Sequence, residues 1–144
     1  MPNRPSDNRT LPIKSIMTRE VVYVYPHVLI FDAIRLLPKY QISGMPVVDE
    51  EMNLVGILSE KDVLRILTTD KVNYEGTVAD YMTRSVVSFN EDTSATEVSQ
   101  FFQRNPIRRV PVTKDGKLIG VVSRRDIINL ILEAKSNFSH YRFS

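Results

Sequence analysis

The segment GILSEKDVLRIL at residues 56–67 returns as GVVSRRDIINLI at residues 120–131. Each reads glycine, two aliphatic residues, serine, two polar residues, aspartate and then a helical apolar pattern. The duplication runs further. Met17-Thr18-Arg19 and Val21-Val22 recur as Met82-Thr83-Arg84 and Val86-Val87, and Ile42 with Pro46-Val47 recurs as Ile107 with Pro111-Val112, all at a shift of 65. Leu54, Gly56, Ser59 and Asp62 map to Leu118, Gly120, Ser123 and Asp126 at a shift of 64. One residue is therefore extra in the Asp49–Asn53 turn relative to Lys114–Lys117, as expected where lengths change in turns.

Two copies are too few for a solenoid, whose units need further neighbours to bury a continuous core. A closed pair is the expectation: an α/β (α+β) fold of two β-α-β-β-α repeats packed as a pseudo-twofold pair with two equivalent clefts. Residues 21–25 are β-branched and aromatic, hence a strand; Leu29, Ile30, Ala33, Ile34 and Leu37 share a helical stripe. Pro38 should end or kink that helix. Strands at 45–48 and 54–58 flank the turn, and a helix runs over 60–68. The second copy predicts a strand at 86–89, a helix from Thr93 or Ser94 using Val98, Phe101 and Phe102, two strands about the Asp115-Gly116 turn, and a helix over 124–135. Residues 13–17 and 78–82 read as lead-in turns. The divisions are a flexible lead-in at 1–12, repeats at 13–67 and 78–135, a linker at 68–77 and a tail at 136–144.

Composition removes several function classes. With 42% hydrophobic residues the chain is globular, and without cysteine it has neither disulfides nor a thiol nucleophile. Two histidines, His27 and His140, exclude a histidine-rich metal site. No segment resembles a signal peptide or a membrane span, so a cytoplasmic protein is expected. The 19 basic and 17 acidic residues leave +2, unlike a dedicated nucleic-acid binder. Residues 1–77 carry nine basic and ten acidic residues, net −1; residues 78–144 carry ten and seven, net +3. Any anion preference belongs to the second half.

The string MTR-VV, a helix, SGMPVVD and LVGILSEKD, with its second version ending IRRVPVTKDGKLIGVVSRRD, closely resembles the cystathionine β-synthase (CBS) domain family over about residues 13–67 and 78–132. One landmark would be common. Four in the same order, twice, are specific. The resemblance implies a tandem pair, a Bateman module, whose clefts bind adenosine-containing ligands such as AMP, ADP, ATP, NAD or S-adenosylmethionine, and which senses rather than catalyses. It also implies further pairing into a homodimer.

Ser59 and Asp62, like Ser123 and Asp126, are first of all capping boxes. The same geometry offers a second use: N–H groups at a helix start attract phosphate, with Ser59 or Ser123 donating a hydroxyl. A carboxylate can accept from two vicinal ribose hydroxyls, and the resemblance assigns that role to Asp62 and Asp126. It places adenine among Val21 or Val22, Ile42 and Ile57 in one cleft, and Val86 or Val87, Ile107 and Val121 in the other; each of these also reads as ordinary core. Gly56 and Gly120 permit close backbone approach, a bulge or plain strand packing. Before Pro111 stand Arg108 and Arg109, where the family often holds phosphate, whereas Ser43-Gly44 precede Met45-Pro46; the arginines also read as a solvated face. Arg124 and Arg125 add cations at a helix start, an unfavourable place unless an anion arrives.

No catalytic group, catalytic cofactor or metal ligand set is identified: there is no P-loop or Rossmann glycine loop and no histidine in a matching motif. The alternative to a sensor is a ligand-independent dimerisation scaffold, for which capping alone explains the serines and aspartates. Nucleic-acid binding has Arg104, Arg108 and Arg109 but no aromatic stacking platform. Val63, Leu67, Ile127, Ile131 and Leu132 exceed what one small repeat covers, which favours homodimerisation, and Phe138, His140, Tyr141 and Phe143 form an aromatic tail of open role. As the resemblance implies, such a module would act on a separate regulated protein.

Overall fold

The computed structural model describes residues 9–136. The aromatic tail expected at 138–143 lies outside them. The chain forms an α+β fold of short helices and two small sheets, and it divides into two compact units.

One unit is built on residues 21–87 together with the short stretch Gly116–Leu118. Its hairpin pairs β1 (Gly44–Val48) antiparallel with β2 (Leu54–Ser59). The register shifts between Val47, opposite Gly56, and Val48, opposite Leu54, so Val55 is a bulged residue. The turn is organised by Asp49, whose Oδ1 accepts from the amides of Glu51 and Asn53 while Oδ2 accepts from Asn53 Nδ2. Met52 takes a left-handed conformation there, with φ 68°. The strand expected over 21–25 shrinks to one parallel bridge, Val24 to Val47.

The first helix is broken into α1 (Ile30–Ile34) and α2 (Leu36–Tyr40). Pro38 explains the position of the break: it has no N–H for the carbonyl of Ile34, and its ring crowds that same group four residues back. The left-handed Gln41 then terminates α2. The helix expected at 60–68 is α3 (Glu60–Leu64) followed by a 3-10 turn at Arg65–Thr68. Residues 68–77 pack on α1, with Ile30 donating to the Gly76 carbonyl and Tyr74 stacked on Phe31. They lead into α4 (Val78–Tyr81). Val24, Ile30, Ala33, Leu37, Met45, Val47, Leu58, Ile66, Val78 and Met82 form the core.

The other unit joins the chain up to Glu20 to residues 88–115 and 119 onward. Its sheet has the order β3 (Phe89–Asn90), β4 (Arg109–Lys114), β5 (Lys117–Ser123), with β3 parallel to β4. Asp115 and Gly116 have φ of 52° and 79°, the pair of positive values that a tight primed hairpin turn requires. Ser94 caps α5 (Ala95–Arg104) by accepting from the Glu97 amide. Residues 9–12, expected within a flexible lead-in, are instead tied to this helix start. Ala95 and Thr96 amides donate to the Leu11 and Arg9 carbonyls, supplying partners that the first turn of a helix otherwise lacks. α6 (Arg124–Ser136) closes the unit. Ile127, expected among the surplus apolar residues, lies instead in this core with Ile13, Met17, Val98, Phe102, Val110, Val112, Val122 and Leu130. Leu67, Ile131 and Leu132 are exposed, as are Leu64 and Ile128.

The compact units do not follow the repeats. Met17-Thr18, from the start of the first repeat, bridges Val121 of the second through Thr18; Met82-Thr83 bridges Ile57 of the first through Thr83. Both backbone bonds of each bridge are made, at 2.8–2.9 Å. Gly56 and Gly120 are small for this reason. A Cβ on Gly56 would stand 2.8 Å from Met82 Sδ and 3.0 Å from the Thr83 carbonyl oxygen; on Gly120 it would stand 2.6 Å from Met17 Sδ and 2.9 Å from the Thr18 carbonyl oxygen. The close approach is therefore by the chain itself.

Candidate functional site

In the unit built on residues 21–87, β2 delivers Ser59 directly to the start of α3. Ser59 accepts from the Asp62 amide at 3.3 Å, and Asp62 Oδ2 accepts from the Ser59 amide and hydroxyl at 2.8 and 2.9 Å. The capping box is thus formed in full. The second carboxylate oxygen, Oδ1, accepts from the Thr83 hydroxyl at 2.9 Å, and Arg65 stands 3.9 Å away. Asp62 is only 7% exposed. The bridge between Ile57 and Thr83 brings the Met-Thr segment to this aspartate, so Val86 and Val87 follow Thr83 within the unit that holds Ile57, Ser59 and Asp62. Val21, Val22 and Ile42 belong to the same unit and are half-buried.

In the other unit, Asp126 Oδ2 accepts from the Ser123 amide and hydroxyl at 2.7 and 3.0 Å, and the Asp126 amide returns a bond to Ser123 Oγ at 3.1 Å. The box is the same, but its surroundings differ. Among the described residues Asp126 Oδ1 accepts no hydroxyl corresponding to Thr83, although Thr18 is bridged to Val121. Asp126 is half-buried, and Val121 is half-buried, while Ile107, Arg108 and Arg109 are exposed. Val86 and Val87 are not in this unit, so the second adenine set expected from the repeats is divided: both valine pairs belong to the compact unit that also holds Asp62.

Arg124 resolves the difficulty of a cation at the start of α6. Its guanidinium turns back from the helix end and donates to the carbonyls of Phe102, Asn105 and Ile107. Its charge is satisfied by these oxygens. The residue that sequence reasoning missed is Thr83. Its signal was the recurrence of Met-Thr in both copies, but nothing in linear spacing ties Thr83 to Asp62, 21 residues away.

The CBS domain family model matches residues 13–69 and 78–133. The chain belongs to the CBS domain family. Among solved CBS structures, CBSX2 from Arabidopsis thaliana in complex with AMP is 29% identical with a TM-score of 0.78, covering 87% of this chain and 98% of that one. The CBS domain pair of MJ0100, in complex with 5'-methylthioadenosine and S-adenosyl-L-methionine, is 28% identical with a TM-score of 0.71, covering 86% and 98%. Inosine-5'-monophosphate dehydrogenase of Methanocaldococcus jannaschii is 37% identical over 78% of this chain, which spans 22% of that enzyme. The first two curated relatives are spanned over 42% and 22% of their lengths. Among the described residues no helix is long and apolar enough to cross a membrane.

Proposed function

We propose that this CBS pair is a cytoplasmic regulatory module that binds an adenosine-containing ligand and signals to a separate protein, without catalysis of its own. The observation that carries the reading is the doubled Ser-x-x-Asp box at a helix start, on a fold whose AMP-bound relative covers 87% of this chain. Candidate ligands are AMP, ADP, ATP, NAD and S-adenosylmethionine. Asp62 and Asp126 hold ribose in this reading. Ser59, Ser123, Arg108 and Arg109 meet phosphate; the aliphatic residues Val21, Val22, Ile42, Ile57, Val86 and Val87 line adenine in the unit of Asp62, and Ile107 and Val121 do so in the unit of Asp126.

Asp126 is the better equipped of the two aspartates, because its Oδ1 is uncommitted among the described residues, whereas ligand at Asp62 must compete with Thr83. A thermal-shift panel of the five ligands tests the proposal. Binding at 100 times the dissociation constant adds about 2.7 kcal/mol to stability. Asp126→Asn should abolish most of the shift and Asp62→Asn less of it. No shift with any of the five ligands would favour the scaffold reading.

Homodimerisation is part of the same proposal. Ile128, Ile131 and Leu132 on α6 are 55%, 60% and 56% exposed, and a second copy of the chain would cover such a face isologously. Ile131→Lys should then shift the mass measured by light scattering from dimer to monomer.

A further inference from the structure

Arg124 makes the largest set of side-chain bonds near the second signature, and its role is not that of a ligand. Its Nε donates to the Ile107 carbonyl at 3.0 Å, and one terminal nitrogen donates to Phe102 and Asn105 carbonyls at 2.8 and 2.6 Å. The guanidinium carbon lies 5.8 Å from the centre of the Phe102 ring. The Arg124 amide also donates to the Arg108 carbonyl at 3.0 Å. The three side-chain acceptors span the end of α5 and the connection that leads to Arg108 and Arg109. Carbonyls at a helix end lack partners within the helix, so a planar guanidinium placed among them both neutralises their dipoles and fixes their directions.

The first repeat keeps only the backbone part of this arrangement. Glu60, the residue aligned with Arg124, donates its amide to the Ser43 carbonyl at 2.9 Å. A carboxylate cannot donate to carbonyls, so residues 41–43 have no equivalent clamp. We infer that Arg124 is a positioning residue that presets the 105–109 connection and thereby sets the affinity of the second signature for phosphate-bearing adenosine ligands. This rests on the proposal that Arg108 and Arg109 meet the phosphate. An arginine held on a fixed backbone loses less freedom on binding than one on a loose connection, which amounts to roughly a 2- to 12-fold difference in affinity.

The test compares Arg124→Lys, which keeps the charge and loses the planar fork, with Arg124→Gln, which loses both, and with an Arg108→Ala/Arg109→Ala control. Hydrogen exchange in the ligand-free proteins reads the Asn105 amide and the amide of residue 124; calorimetry reads AMP and adenosine. The expected result is faster exchange at both amides in Arg124→Lys, with AMP weakened about 2- to 12-fold and adenosine little changed. Unchanged exchange in Arg124→Lys would overturn the clamp. Faster exchange with unaltered AMP affinity, while the control weakens AMP, would overturn its link to the ligand. Weakening in Arg124→Gln but not in Arg124→Lys would reduce the effect to charge and also overturn it. If the control itself leaves AMP unchanged, the phosphate reading fails; the inference then falls at its ligand step, and the exchange data alone report the clamp.

Discussion

Asp62 and Asp126 occupy the same place in their repeats, each the third residue of a serine-capped helix, yet their carboxylates are differently engaged. Asp62 is buried, bonded by Thr83 and approached by Arg65. Asp126 is half-buried and keeps one oxygen uncommitted among the described residues. The contrast extends to their neighbours: Ser43-Gly44 against Arg108-Arg109, and Glu60 against Arg124. What the copies share is the part that builds a helix start. What they do not share is the charge beside it, and that difference falls on the residues that the proposed function assigns to phosphate.

The largest effect expected from this divergence is on phosphate recognition. Replacing both Arg108 and Arg109 by alanine should weaken AMP or ATP by about 10- to 150-fold, the equivalent of roughly 1.5–3 kcal/mol for a charge-assisted contact. Adenosine should change little, and the salt dependence of AMP binding should flatten. Calorimetry at two salt concentrations measures both. Unchanged affinity at low salt would make the arginines a solvated face.

A substitution at the shared part should affect both repeats alike. Gly56→Ala and Gly120→Ala each push a methyl into a crossing Met-Thr segment, where the methionine can swing but the threonine carbonyl cannot retreat without breaking its bridge. Each should cost about 1–3 kcal/mol, with Gly120→Ala the worse because its contacts are shorter. Urea unfolding gives the comparison. A neutral result at one glycine alone would show that the two crossings are not equivalent.

These crossings also mark the limit of what the sequence tells. The hairpins, the Ser59 and Ser123 caps and the Asp115-Gly116 turn were legible because each is a local rule with its own residue types. The Met-Thr bridges were not, because one pair of backbone bonds leaves no periodicity and joins residues from different repeats. The strand expected at 21–25 failed for a related reason: its β-branched composition is real, but only Val24 finds a partner. Arg124 was readable as a charge, not as a direction. Its three carbonyl partners depend on where α5 ends relative to α6, which no linear spacing encodes.

Thr83 gives a smaller and one-sided prediction. Thr83→Val keeps the shape and removes the donor to a buried carboxylate, which should cost roughly 1–2 kcal/mol. Thr18→Val removes no such bond to Asp126 and should be close to neutral. Thermal melts of the two variants suffice, and equal losses would mean that Asp126 finds its threonine in solution as Asp62 does.

The smallest effect is expected where the hairpin turns differ. Asp115-Gly116 turns by backbone conformation alone, whereas the longer turn of the first repeat depends on the Asp49 carboxylate as an acceptor. The side-chain bond from Asn53, followed by the amides of Asn53 and Glu51 and the charge of Lys117, holds the Asp49 carboxyl below its ordinary value of 3.8, against a weaker opposing desolvation. A carboxyl whose pKa is lower folded than unfolded binds a proton more readily in the unfolded chain. Its stabilisation is therefore complete above the ordinary value and is lost as pH falls from there through the lower folded value. Amide exchange at Asn53 should accelerate over that acid range while exchange near Gly116 changes less. Asp49→Asn should remove this pH dependence, since a carboxamide accepts hydrogen bonds without titrating. A carboxyl titration of Asp49 by NMR at or above 3.8 would show that the turn is held by its backbone, and that the two hairpins differ in length but not in what stabilises them.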